Sequence, residues 1–197
     1  MDTNGLAPPS QMSAVGGDLR HNIVLVGLPG AGKSSVGRRL AGRLSIPFVD
    51  ADAEIEIAAG MTIAEIFKTR GEVEFRAGET RVIRRLLEGG PQVIATGGGA
   101  FMSPDTRQAI AEHGVSVWLD ATTDVLLSRI VKRNHRPLFH DVDPRQKLME
   151  LRAVRDPVFA GADIRVTSSA GPHERVVARI VRALNARNEK REGPQTC

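Results

Sequence analysis

The sequence predicts an α/β fold in which a parallel sheet of five strands is covered on both faces by helices. Three observations predict it. Five short apolar runs are each bounded by Gly, Pro or Asp, and stretches with helical periodicity lie between them. The first run, residues 23–27, carries no polar residue, which is how a strand buried on both faces reads. Strands alternating with helices imply right-handed crossovers and therefore parallel pairing.

Each element follows in order. Residues 1–20, MDTNGLAPPSQMSAVGGDLR, hold Pro, Gly and Ser but neither a basic start nor an apolar centre, so they read as a flexible N-terminal tail rather than a signal peptide. A single domain is expected over 21–188, opening with the strand at 23–27. A helix follows from Lys33, with Val36, Leu40, Ala41 and Leu44 on one face, and it stops before Pro47. The other strands are expected at 47–49, 93–95, 115–119 and 164–167, and the other helices at 52–59, 63–68, 72–87, 104–113, 124–132, 145–155 and 172–188. Two insertions break this rhythm. Residues 52–90 are helix beyond what one crossover needs, and they are expected to project as a small subdomain. KRNHRPLFHDVDP, residues 132–144, is basic, carries two prolines and reads as a mobile loop over a site. Residues 189–197 are expected to form a flexible C-terminal tail.

Composition narrows the function. With 197 residues, 41% hydrophobic and 25% charged, the chain can bury a sizeable core, which excludes a disordered protein. One cysteine, Cys197, excludes a disulfide framework or a cysteine zinc site and fits a cytoplasmic location. No apolar run approaches the roughly 18 residues of a membrane span. The net charge of +4 leans basic, yet aromatics are 4% with no Tyr, a poor supply for stacking nucleic-acid bases. An anionic small molecule is the better expectation, with no nucleic acid and no membrane partner.

The residues with chemistry cluster at strand ends. GLPGAGKS, Gly27 to Ser34, lies between a strand and a helix and so meets both the spacing and the context of a phosphate-binding loop. Its glycines turn backbone N–H groups toward a phosphate at a helix N-terminus. Gly30, Ala31, Gly32, Lys33, Ser34 and Ser35 are the nucleotide-binding candidates, with Lys33 on the outer phosphates and the Ser34 hydroxyl on Mg²⁺. Asp50 and Asp52, in FVDAD, end the second strand at the same sheet edge. On an extended chain they share a side, so that one could reach the Mg²⁺ shell and the other accept a hydroxyl proton; alternatively, Asp52 caps the next helix.

Gly97, Gly98 and Gly99 follow the third strand and would admit a ligand close to the backbone, or form a turn. Asp120, after VSVWL, reads as a helix cap rather than a metal ligand. Arg76 and Glu79 are one helical turn apart, either as an anion grip held by its carboxylate or as a surface ion pair. Arg155 lies at an expected helix end where it could turn into the cleft. Arg129, Arg133 and Arg136 punctuate the basic insertion, where a cation can neutralise charge on a transferred phosphoryl group. The five histidines show no metal-ligand spacing.

GLPGAGKS, FVDAD, GEVEFRAGE, ATGGGA, RPL and RDPVF, in this order over about residues 21–185, resemble shikimate kinase. The resemblance implies a P-loop NTPase-type three-layer fold with a helical substrate-binding insertion and a mobile lid. It implies a monomeric cytoplasmic enzyme that moves the γ-phosphate of ATP, with Mg²⁺, to the 3-hydroxyl of shikimate in the pathway to chorismate and the aromatic amino acids. By this resemblance Asp52 is the base and touches the shikimate hydroxyls, Arg76 and Arg155 hold the carboxylate, and Gly97 to Gly99 line the pocket. Asp50 supports Mg²⁺, Arg136 is the lid arginine, and Arg129 packs by the adenine. The glycine run stands in for a Walker-B Asp. Phe159 replaces a Tyr frequent in the family, and residues 168–172 align loosely. A gluconate kinase type and a nucleotide-sensing regulatory module are the competing readings; the FR, E and GGG motifs speak against the first, and retention of Lys33, Asp50, Asp52 and Arg136 against the second.

Overall fold

The structure is a computed structural model describing residues 21–131, 142–168 and 171–192, with 191 and 192 as backbone. The expected N-terminal tail, Arg133 and Arg136 of the expected lid, and residues 193–197 lie outside the described residues.

The first apolar run forms β1 (Asn22–Val26), whose five residues are all buried. It is flanked on both sides by parallel partners, β3 (Val93–Ala95) and β4 (Gly114–Asp120), while β2 (Phe48–Asp50) pairs with β3 and β5 (Ile164–Thr167) with β4. The order β2-β3-β1-β4-β5 is a doubly wound parallel sheet. All strands run the same way, so the loops leaving β1, β2 and β3 share one carboxyl edge, and the order in which strands are added reverses beside β1, where such sheets bind ligands.

Helix α1 (Lys33–Leu44) buries Val36, Leu40 and Ala41. Its close packing on β2 requires glycine at 37, where a Cβ would lie 2.6 Å from the Phe48 ring. The insertion comprises α2 (Ala51–Ala59) and α3 (Ile63–Leu87), the latter started by a capping box between Thr62 and Glu65. The two helical stretches expected at 63–68 and 72–87 are the halves of α3, divided at Gly71, whose φ of 80° and ψ of 174° no helix contains. Ile55, Ile66, Phe75 and Val82 give α2 and α3 an apolar cluster apart from the main core.

Past β3, a 3₁₀ turn over Ala100–Met102 that periodicity does not foresee leads into α4 (Pro104–His113), capped by Ser103. Helix α5 is Thr123–Val131, α6 is Pro144–Phe159 and α7 is His173–Glu192. Helix α6 runs past its expected end at Arg155 and through Pro157. Its last turn is held by Phe159, which is 1% exposed and packs its ring 6.2 Å from that of Phe101 and 5.9 Å from that of Trp118. Packing therefore outweighs the bond that proline removes. Among the described residues no helix is long and apolar enough to cross a membrane.

Candidate active site

The loop from Gly27 to Ser34 joins β1 to α1 at the carboxyl edge. Gly30 and Gly32 take φ of 89° and 95°, values that residues with a Cβ rarely adopt. Gly32 is the N-cap of α1 and supplies no side-chain cap, so the positive end of the helix faces the loop. Lys33 folds back over the loop, its Nζ donating to Gly27 O at 2.7 Å and Leu28 O at 3.2 Å. Ser34 Oγ donates to Asp50 Oδ2 at 2.7 Å, which joins the start of α1 to the end of β2.

The two aspartates of FVDAD divide their roles differently from the extended-chain expectation. Asp50, not Asp52, is the N-cap of α2, accepting from the Asp52 backbone N–H at 3.2 Å. Helix begins at Ala51, so Asp52 projects from the first helical turn and its carboxylate is released from capping. It points at the glycine run instead: a Cβ on Gly97 would lie 2.8 Å from Asp52 Oδ1 and 2.7 Å from Glu79 Oε1. The carboxylates of α2 and α3 thus flank one backbone position at the end of β3.

The same glycine run receives two arginines. Arg76 Nη1 donates to Glu79 Oε2 at 2.7 Å, and Arg76 Nε and Nη2 reach Glu72 Oε1 at 3.3 and 3.2 Å. A Cβ on Gly99 would lie 2.7 Å from Arg76 Nη2. Arg155 Nη1 donates to Gly98 O at 2.9 Å. Here the surface ion-pair alternative gives way to burial, since Glu79 is only 2% exposed. Burial raises the Glu79 carboxyl, Arg76 pulls it down by charge and hydrogen bond, and Asp52 raises it again. Arg155 is lowered by burial and then by the like charge of Arg76. An anion between the two guanidinium groups would relieve both effects.

Arg129 sits on the opposite flank of the phosphate loop. Its Nη1 donates to Gly30 O at 3.3 Å, Ala31 O at 3.1 Å and Ser168 Oγ at 3.1 Å, and burial lowers its pKa. Asp120 is not the cap expected of it. Thr122 accepts from the Val125 N–H at the start of α5, while Asp120 pairs with Arg165 at 2.7 Å and Arg152 at 3.4 Å.

Three neighbours of the site were not read from the sequence. Pro29 fills the space over Gly98, with its Cδ 2.9 Å from where a Cβ would stand. Ser168 Oγ donates to Ala31 O at 3.0 Å, and the His173 ring lies 3.6 Å from a Cβ on Gly32. None carries a spacing signal; the crossing of β5 and α7 over the loop brings the last two in.

The family model for shikimate kinase matches residues 29–185. A shikimate kinase of Bradyrhizobium diazoefficiens is 51% identical over 175 residues, covering 89% of this chain and 83% of the relative. The chain belongs to the shikimate kinase family. The shikimate kinase of Rhodopseudomonas palustris is 55% identical over 163 residues, 83% of this chain and 80% of that one. Among solved structures, a shikimate kinase from Acinetobacter baumannii in complex with shikimate superimposes with a TM-score of 0.81 at 37% identity, covering 85% of this chain and 94% of that one. As a shikimate kinase family member the chain is a phosphotransferase with ATP as co-substrate and an alcohol acceptor.

Proposed function

We propose that this chain transfers the γ-phosphate of ATP to the 3-hydroxyl of shikimate, with the residues at the carboxyl edge of the sheet in the roles their geometry suits. The observation that carries this reading is the placement of Arg76 and Arg155 together against the Gly97–Gly99 run, with Asp52 against Gly97 and Pro29 of the phosphate loop against Gly98. Two guanidinium groups suit the carboxylate of shikimate through paired charge-assisted bonds. With the carboxylate held there, a hydroxyl on the ring can meet Asp52, which accepts its proton as the oxygen bonds to the γ-phosphorus and the bond to the bridging oxygen breaks, releasing ADP. Glu79 orients Arg76 and adds acceptor capacity through Oε1, which has no hydrogen-bond partner among the described residues.

On the nucleotide side, the N–H groups of Gly30 to Ser35 and the start of α1 take the phosphates, Lys33 neutralises the outer ones, and Arg129 guards the loop toward the base. Ser34 and Asp50 fit Mg²⁺: their oxygens are 2.7 Å apart and both are hard donors. Among the described residues no group of three or more His, Cys, Asp or Glu is placed to hold a metal, so the ion would take its remaining oxygens from phosphate and water. When bound it offsets charge on the phosphates. Arg136, by family resemblance, adds a cation from the lid at 132–144, and the insertion at 52–90 carries the acceptor. The enzyme is read as a cytoplasmic monomer with no nucleic-acid partner.

The experiment is ³¹P NMR of the products formed from ATP, Mg²⁺ and shikimate. A new phosphate-monoester resonance coupled to the proton on C3 of shikimate is expected. Inorganic phosphate alone, or an ester at another hydroxyl, would contradict the assignment.

A further inference from the structure

Helix α6 delivers Arg155 to the cleft, yet Pro157 follows two residues later. A proline inside a helix has no N–H for the carbonyl four residues back, here that of Ala153, and its ring presses on that carbonyl. The turn that carries Arg155 is therefore the least self-supporting part of α6. A polar link holds it to the sheet. Arg152 Nη1 donates to Ala121 O at 2.6 Å, and its Nη2 lies 2.9 Å from Asp156 Oδ2 and 3.4 Å from Asp120 Oδ1. One guanidinium thus spans the last turn of α6 and the carboxyl end of β4.

Asp120 holds a second cation on its other carboxylate oxygen. Arg165 Nη2 donates to Asp120 Oδ2 at 2.7 Å and its guanidinium lies 4.5 Å from the centre of the Trp118 ring. The Asp120 side chain is 14% exposed, and those of Arg152 and Asp156 about a quarter, so solvent screens this set less than it does a surface pair. Asp156 also keeps a buried Oδ1 with no hydrogen-bond partner among the described residues, which makes its bond to Arg152 costly to lose.

We infer that Arg152 is a positioning residue for the acceptor: by tying the proline-weakened turn of α6 to Asp120 and Ala121, it sets the Arg155 guanidinium against Gly98 and thereby sets affinity for the acceptor carboxylate. This rests on the reading that Arg155 meets that carboxylate. Arg152 itself touches neither substrate in this role.

The test is steady-state kinetics of Arg152→Met, Arg152→Lys, Asp156→Asn and Arg165→Met, with Arg155→Ala as reference. Methionine keeps most of the stem and removes the three polar contacts. Arg152→Met is expected to raise the shikimate KM about tenfold, with the ATP KM and the kcat at saturating shikimate within about twofold of the parent. Asp156→Asn should move shikimate KM in the same direction by less, and Arg152→Lys should recover part of the loss, since an ammonium reaches the carboxylates but cannot span all three oxygens. Arg165→Met removes the other partner of Asp120 and leaves the three Arg152 contacts in place, so it controls for general loosening and should leave shikimate KM within about twofold of the parent. The inference is overturned if Arg152→Met leaves shikimate KM alone while Arg155→Ala raises it, or if Arg152→Met and Arg165→Met raise both KM values alike. An unchanged shikimate KM in Arg155→Ala would overturn the carboxylate reading beneath it, and the inference with it.

Discussion

Replacing Arg76 by alanine should cost both acceptor affinity and stability, with different dependence on pH. The guanidinium is bonded at 2.7 Å to a carboxylate, Glu79, that is 2% exposed, while Arg76 itself is 32% exposed. Breaking a fully buried pair costs about 3–5 kcal/mol; here one partner is partly hydrated, so about 2 kcal/mol is the reasonable figure at pH 8. Glu79 is already raised by burial against the pull of Arg76, and losing Arg76 raises it further. A carboxyl whose folded pKa is raised favours its protonated form in the fold. Its contribution is complete below the ordinary value of 4.5 and is lost as pH climbs through the raised one. The stability deficit of Arg76→Ala should therefore be smaller near pH 5 than at pH 8, where thermal melts should show a midpoint about 4–8 °C below that of the parent. Titration calorimetry at pH 8 should show shikimate affinity weakened about 30-fold, equivalent to about 2 kcal/mol, with ATP affinity unchanged. An equal deficit at both pH values would refute the protonation argument, and unchanged shikimate affinity would remove Arg76 from the acceptor site.

Three further substitutions bear on the same site and its support. Asp52→Asn should retain nucleotide binding while turnover falls about 10²- to 10⁴-fold in the ADP-release assay; near-normal turnover would mean that Asp52 is not the base. Gly97→Ala places a methyl 2.7 Å from Glu79 Oε1 and 2.8 Å from Asp52 Oδ1, so shikimate KM should rise while ATP KM holds, and a parallel rise in both would count against the division of the cleft. Gly78→Ala lies within α3 where the nearest atom, Arg81 Nη2, is 3.8 Å from the added carbon; chemical denaturation should show a gain of about 0.5–1 kcal/mol, and a loss would mean the space is not open.

The sequence makes the phosphate loop legible because spacing and context coincide: an apolar run at 23–27, glycines at 27, 30 and 32, and Lys33 opening a helix. Strand positions are legible too, since an apolar run between Gly, Pro or Asp leaves little room for error, as at 93–95 and 164–167. What was not legible depends on tertiary contacts. Whether Asp50 or Asp52 caps α2 turns on a single residue of helix start, and the Ser34 hydroxyl that fixes Asp50 is 16 positions away. Asp120 looks like a cap until β5 brings Arg165, and α6 Arg152, to its carboxylate. Pro157 looks like a helix stop because the packing of Phe159 on Phe101 and Trp118 is invisible in periodicity. The i, i+3 spacing of Arg76 and Glu79 fits either a surface pair or a buried one, and only the packing of α3 on the end of β3 decides it.

ATP turnover at this site is expected to be committed to one acceptor. Its most direct test is ADP release by the purified protein with ATP and Mg²⁺, measured with shikimate, with gluconate and with no acceptor. Release should depend on shikimate, stay at background with gluconate or with no acceptor, and be nearly abolished by Asp52→Asn. Release that proceeds equally without shikimate, or with gluconate in its place, would contradict this expectation.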